Sequence, residues 1–393
     1  MFPIVSDTPS LFATVSGDVP RIGSLLVKPA SAACNLDCEY CFYLDRETDP
    51  YAGAADRIMS LDTLETLVDG FLFYSFPHSG FAFQGGEPTL AGLKFYETLV
   101  RLQQRHGRNG QTVGNSIQTN GILLNKDWCD LFRGYSFLIG LSLDGPEEIH
   151  DRYRVNKAGH PTAARVIEAV SLLRSAKVEF NVLCAVSQAN VSKAGEVFRF
   201  FRKLGIEYVQ FIPLAEFHPD GSPMPFTVSA DEYGHFLCEM YNLWWPERRQ
   251  MGVRFFENVA EALAGRVPGT CTLHESCDSY AVVEYNGDVY PCDFFVEKQW
   301  KLGNIEIDSW PEIARRQRRM AFAAKKATPH AACSVCEYQS LCRGGCPSSR
   351  RSRRGRFEDL DWFCNSYKQV FAKVVPPLRE EVRRILAAQA AQQ

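Results

Sequence analysis

The stretch AACNLDCEYCFYLD (32–45) sets Cys34, Cys38 and Cys41 in a C-x3-C-x2-C spacing. Thiolates are soft ligands, suited to zinc and to iron–sulfur clusters. Three of them fall one short of a closed four-ligand site. A four-iron cluster has four corners, and thiolates ordinarily hold them all. With three supplied, one iron keeps an open position, the feature that separates chemically active metal sites from structural ones. The missing ligand marks where a substrate or cofactor can enter.

Eight more cysteines crowd the last third of the chain: Cys271, Cys277, Cys292, Cys333, Cys336, Cys342, Cys346 and Cys364. Tight clusters in a reducing compartment point to metal, not to disulfides. Eight thiolates suit two fully ligated four-iron clusters or two four-cysteine zinc sites, and spacing alone does not divide them into sets. Cys129, Cys184 and Cys238 lie singly on apolar segments and read as small buried hydrophobes. The eight histidines form no ligand constellation.

Apolar runs and helical patterns alternate from residue 24 to about 214. Strands are expected at 24–29, 81–84, 115–120, 137–144, 180–186 and 208–214. Helices are expected between them at 60–73, 93–106, 125–134, 162–176 and 191–204. Six such β/α units predict a parallel sheet covered by helices, either open or an incomplete barrel. Function then collects where the strands end. The cysteine triplet lies in the first of those loops, and QGGEP, QTNG and SLDGP end the second, third and fourth strands. Beyond 214 come a helix at 230–245, a hairpin at 281–295 around Asn286-Gly287, and a helix at 310–325.

These patterns divide the chain into an extension (1–23), a β/α part (24–228), a helical linker (229–267), a cysteine-rich domain (268–372) and a C-terminal helix and tail (373–393). The last seven residues, AAQAAQQ, are expected to fray. At 393 residues, 46% hydrophobic and 23% charged, the chain can bury a large core. A net charge of −3 argues for neither nucleic acid nor membrane. The absence of a bilayer-length apolar run and of a basic, apolar start predicts a cytoplasmic protein. The basic run RRSRRGRF (350–357) reads first as a solvated loop and second as a dock for an acidic partner.

The triplet, with an aromatic (Tyr40) before its last cysteine, resembles the radical S-adenosylmethionine (radical SAM) superfamily. The resemblance implies a partial (β/α)6 TIM-like barrel. It also implies that the amine and carboxylate of SAM chelate the open iron, and that SAM is cleaved to a 5′-deoxyadenosyl radical. Gly85, Gly86 and Glu87 look like the family's methionine-binding motif, and Ser142, Arg154 and Leu214 match further SAM-contact positions. The later cysteines, with Gly287 inside a C-x9-G-x4-C segment, resemble the SPASM extension and its two auxiliary four-iron clusters. By that pattern Cys271, Cys277, Cys292 and Cys346 hold one cluster, and Cys333, Cys336, Cys342 and Cys364 the other.

Over about residues 24–375 the chain is similar to anaerobic sulfatase-maturating enzymes, in segments such as FAFQGGEPTL, SLDGPEEIHDRYR and NGDVYPCDFFV. Those enzymes oxidise a Cys or Ser of a sulfatase to Cα-formylglycine. The likeness implies Asp293 as general base, beside a cluster and a mostly apolar hairpin. It implies three 4Fe-4S clusters, SAM, a sulfatase polypeptide substrate, and an electron donor such as flavodoxin or ferredoxin. Two alternatives stand. One is another SPASM peptide-modifying enzyme forming a thioether, cyclophane or epimerised residue, which the early first strand disfavours because it leaves no room for an N-terminal leader-binding module. The other is a non-catalytic iron–sulfur or zinc module.

Overall fold

The computed structural model describes residues 21–43, 49–54 and 56–391; the expectations for the first twenty residues lie outside them. Strand β1 (Ser24–Lys28) leads into the cysteine loop. Helix α1 (Leu61–Ser75) starts where the Ser60 side chain accepts from the Thr63 amide. Next come β2 (His78–Phe83), α2 (Leu93–His106) and β3 (Thr112–Thr119). Helix α3 (Lys126–Gly134) is capped by Asn125 and followed by β4 (Leu138–Ser142). A one-turn α4 (Glu147–His150), α5 (Ala163–Ser175), β5 (Phe180–Val186), α6 (Ala194–Lys203) and β6 (Tyr208–Pro213) complete the series.

The capping box of Ser229 and Glu232 opens α7 (Ala230–Glu247), and β7 (Gly252–Val253) and α8 (Arg254–Leu263) follow it. The cysteine-rich part contains β8 (Tyr280–Glu284), β9 (Asp288–Tyr290), β10 (Gly303–Asn304), α9 (Trp310–Arg315) and α10 (Gln317–Ala327). The short α11 (Gln339–Cys342) and α12 (Pro347–Arg351) precede the long α13 (Cys364–Ala390).

Among the described residues the strands form a single ten-stranded sheet ordered β10-β9-β8-β1-β2-β3-β4-β5-β6-β7. From β1 to β6 each strand lies parallel to its predecessor, the progression of a β/α barrel. The fold is a mixed α/β partial barrel with the cysteine-rich region at its C-terminal end. The barrel is not closed by β6 on β1. Instead β8 pairs in parallel with β1, Ser24 opposite Tyr280 through Lys28 opposite Glu284. The cysteine-rich region thus shares the barrel's sheet, a continuity that no local pattern announced. Phe71, Phe81, Phe83, Phe132, Phe137 and Phe201 fill the core at under 2% exposure.

Two expectations need correction. The helix expected at 310–325 breaks at Arg316, whose ψ of 131° is extended. Beyond the break the buried Arg319 donates to the carbonyls of Ala314 and Asp278, which a straight helix would leave out of reach. The tail expected to fray from 387 remains helical to Ala390. Alanine and glutamine are strong helix formers and extend a helix already held by packing upstream. That packing is an apolar stripe, Val370, Phe371, Val374, Val375 and Leu378, laid along α7 and α8.

Candidate active site

The triplet loop is stitched to the segment after β4. The Asp37 amide donates to the Val155 carbonyl (2.8 Å) and the Glu39 amide to that of Tyr153 (3.0 Å). Around it a separate apolar cluster of Leu36, Tyr40, Tyr153, Ala185 and Phe226 encloses the three thiols together with Leu214. Burial pushes the Cys34 thiol up to about 11 and that of Cys38 to about 12, Arg154 partly offsetting it at Cys38. Such thiols keep their protons until a metal claims the sulfur.

Gly85 and Gly86 lie against this loop. A Cβ on Gly86 would come within 2.1 Å of the Ala33 carbonyl oxygen, and Gly85 has a φ of +126°. The Gly86 amide donates to Ser31 (2.8 Å) and the Glu87 amide to Ala33 (2.7 Å). The close approach that requires glycine here is therefore between the β1 and β2 loops. Glu87 is fully buried and accepts from the Thr89 and Asn120 amides and the Thr119 hydroxyl, so its carboxylate ties the ends of β2 and β3 together. Burial raises its pKa.

A buried charge network lies on the other flank. Asp144 accepts from Arg154 Nε (2.8 Å), the Ala185 amide (2.9 Å) and the Tyr40 hydroxyl. Burial would raise this carboxyl, yet Arg154 and His150 hold it below the usual range. The Asp144 amide donates to His150 Nδ1 (3.3 Å), and Nε2 faces the Thr162 hydroxyl (3.2 Å). Burial lowers His150 to about 4, so the ring is neutral with its proton on Nε2. Ser142 is buried at the end of β4, two residues before Asp144. Asp144 was not singled out from the sequence; a charged residue closing a strand this apolar was the available signal.

Asp293, 4% exposed, follows the hairpin and meets polar partners. Its Oδ2 accepts from the Tyr43 hydroxyl and from Gln84 Nε2 (3.3 Å), and its Oδ1 stands 3.5 Å from Lys28 Nζ. Lys28 is also 2.7 Å from Glu284 and 4.6 Å from the Tyr43 ring centre. Phe42 and Phe294, ring centres 5.0 Å apart, sit next to this group, with Phe294 exposed. Lys28, Tyr43, Gln84 and Glu284 escaped sequence reasoning. A lysine and a glutamate inside otherwise apolar strands were the signals.

The eight cysteines from Cys271 to Cys364 are free thiols. The later eight gather into two sets. Cys271, Cys277, Cys292 and Cys346 influence one another electrostatically, with Lys326 buried among them. Cys333, Cys336, Cys342 and Cys364 line a cavity of about 50 Å³. Cys342 and Cys346 part company at Arg343, Gly344 and Gly345, three successive residues with φ of 52°, 75° and 73°. A Cβ on Gly345 would meet Asp361 at 2.0 Å, and that carboxylate accepts from the Cys346 amide (2.7 Å). Among the described residues no three His, Cys, Asp or Glu side chains could hold one metal ion. A cubane puts a separate iron behind each thiolate and so spaces its ligands more widely than a single zinc does. The donor sets, three thiols and twice four, fit one open and two closed clusters.

The basic run is not simply solvated. Arg350 is buried and donates to the carbonyls of Gly344 (2.8 Å) and Lys325 (2.9 Å), and Arg351 pairs with Glu297 (2.8 Å). Arg353 and Arg354 remain exposed. Among the described residues no helix is long and apolar enough to cross a membrane.

Residues 29–201 match the Radical SAM superfamily, and residues 271–337 match SPASM, an iron-sulfur cluster-binding domain. The cysteine-type anaerobic sulfatase-maturating enzyme of Clostridium perfringens (strain 13 / Type A) is 35% identical over 90% of this chain and 97% of its own. The serine-type enzyme of Bacteroides thetaiotaomicron is 35% identical over 90% of this chain and 89% of its own. The solved structure of native anSMEcpe with bound AdoMet superposes with a TM-score of 0.86 at 34% identity, covering 92% of this chain and 99% of that one. The chain belongs to the anaerobic sulfatase-maturating enzymes of the radical SAM superfamily.

Proposed function

We propose that this chain oxidises a Cys or Ser side chain of a sulfatase polypeptide to Cα-formylglycine. The observation that carries the reading is a hydrogen bond. Tyr43, two residues beyond Cys41, donates to Asp293, one residue beyond Cys292, and so joins the two cysteine regions at one carboxylate. In this reading Cys34, Cys38 and Cys41 hold a cluster with an open iron. Tyr40, Gly85, Gly86, Glu87, Ser142, Arg154 and Leu214 form or brace the SAM pocket. The two later sets of four thiols hold the auxiliary clusters. Bound there, these groups would supply a 5′-deoxyadenosyl radical to remove a β-hydrogen from the target and an acceptor for the electron left on carbon.

The protein's own part is acid–base and positional. Asp293 takes the thiol or hydroxyl proton of the target. Tyr43 and Gln84 orient the carboxylate through Oδ2. The apolar cluster around the triplet excludes water from the radical chemistry. An alcohol leaves as the aldehyde, whereas a thioaldehyde is hydrolysed to it. The division at residues 24–228 and 268–372, a cytoplasmic location, and a flavodoxin or ferredoxin as electron donor belong to the same reading.

The test is anaerobic incubation of reconstituted protein with SAM, reductant and sulfatase-motif peptides carrying Cys or Ser. Mass loss at the target matched by 5′-deoxyadenosine, with about 12 iron atoms per chain, supports it. Deoxyadenosine with an unmodified peptide, or zinc in place of iron, refutes it.

A further inference from the structure

Helix α10 carries Lys326 into the interior, at 1% exposure. Its Nζ donates to the carbonyl of Thr272 (2.9 Å) and to that of Gly345. Thr272 adjoins Cys271 and Gly345 adjoins Cys346, so the ammonium joins two ligand segments that are far apart in the chain. Arg350, 2% exposed, packs beside it and donates to carbonyls, those of Gly344 and Lys326 among them. Among the described residues neither cation belongs to an ion pair. The carboxylate of this region is Asp361, which accepts from the Cys346 and Phe363 amides. Two buried cations thus face one buried anion. Charge at such depth is costly unless an opposite charge meets it. A thiolate-ligated cluster is an anion and can supply that charge. The second set of four thiols is built differently: the lysine lining its cavity, Lys368, is exposed, where water and salt screen it.

We infer that Lys326 is the buried counter-ion of the first auxiliary cluster and raises its reduction potential. The inference rests on the reading that Cys271, Cys277, Cys292 and Cys346 hold a four-iron cluster. An electron added to such a cluster deepens its negative charge. A cation fixed nearby in a water-poor interior favours the reduced state over the oxidised one. Lys326 is a positioning residue in this role, since it touches the backbone beside the ligands and not the target. In the proposed reaction the carbon radical is oxidised by one electron and the cluster reduced by one. Lys326 makes that transfer more favourable.

The experiment is an anaerobic redox titration of full-length, reconstituted protein, followed by electron paramagnetic resonance. Three clusters give three steps, and added SAM identifies the one that belongs to the open iron. In Lys326→Met one of the two SAM-insensitive steps should shift about tenfold toward the oxidised form, which is about 59 mV lower for one electron. Iron content and the other two steps should stay at wild-type values. Lys326→Arg keeps the charge and should retain most of the potential. Wild-type potentials in Lys326→Met overturn the inference, as does an equal shift of all three steps. Should Lys326→Met fail to assemble its clusters, Lys326→Gln keeps an N–H donor for the two carbonyls without the charge. The same shift is then expected, and its absence overturns the inference. Loss of the cluster in both variants makes Lys326 a structural staple and overturns it too. Wild-type protein with zinc, or with no second SAM-insensitive step, refutes the reading of the ligand sets, and is thereby told apart from failure of this inference.

Discussion

Two buried charge networks flank the cysteine triplet, and they are built in opposite ways. Asp144 and Arg154 come from one loop, ten residues apart, and answer each other nearly one to one. Lys28, Glu284 and Asp293 come from strands and turns some 250 residues apart and share one cation between two anions. The first network neutralises itself and braces the triplet loop through Tyr40. The second is joined to the triplet loop through Tyr43. The balanced pair braces one loop, whereas the second ties together elements far apart in the chain at the carboxylate proposed as the base.

Substitutions can break that contrast. Asp293→Asn should lower formylglycine formation about a hundred- to ten-thousandfold, the range of a lost general base, while deoxyadenosine still forms. Because Lys28 keeps Glu284, the melting temperature should scarcely move; a large drop there would make Asp293 scaffold as well. Arg154→Met should act strongly on stability. It leaves Asp144 buried beside an apolar side chain and should cost about 3–5 kcal/mol in denaturant unfolding. Wild-type stability would show that Asp144 does not need its guanidinium.

A finer test uses pH. His150 is lowered to about 4 in the fold, below its ordinary 6.5. The unfolded chain therefore takes up the proton first as pH falls. Stability present at neutral pH is lost between about 6.5 and 4, by up to about 1.4 kcal/mol per pH unit. His150→Gln should flatten that slope in unfolding curves recorded from pH 7.5 to 5.5, and an unchanged slope would locate the sensitivity elsewhere. The smallest effect is expected at the basic loop. Arg354→Ala should leave stability within about 0.5 kcal/mol, whereas Arg350→Ala strands several carbonyls and should cost more, both read by denaturant titration.

Much of this was legible locally. The β/α series from 24 to 214, the cysteine groups and the hairpin at Asn286-Gly287 all follow from short-range periodicity and turn chemistry. Helix α2 starts and ends where its pattern does, at Leu93 and His106. The break at Arg316 was hidden because nothing in WPEIARRQRRM weakens a helix; a buried arginine reaching the Asp278 carbonyl decides it from outside. Gly86 is a similar case. Its sequence motif was visible, but the object it approaches, the Ala33 carbonyl, lies on another loop.

The amino-acid sequence by itself determined the chemistry available: three thiols in one loop, eight in another region, and alternating strands to present them. Residue type and spacing are enough for that, because metal affinity and strand periodicity are properties of a few neighbouring residues. Only the tertiary structure decided who meets whom. Pairing β8 with β1 set Glu284 against Lys28 and brought Asp293 to Tyr43, and three left-handed residues sent Cys346 away from Cys342. Those partners are far apart along the chain, and a contact between distant residues is a property of the whole packed sheet, which no local pattern encodes.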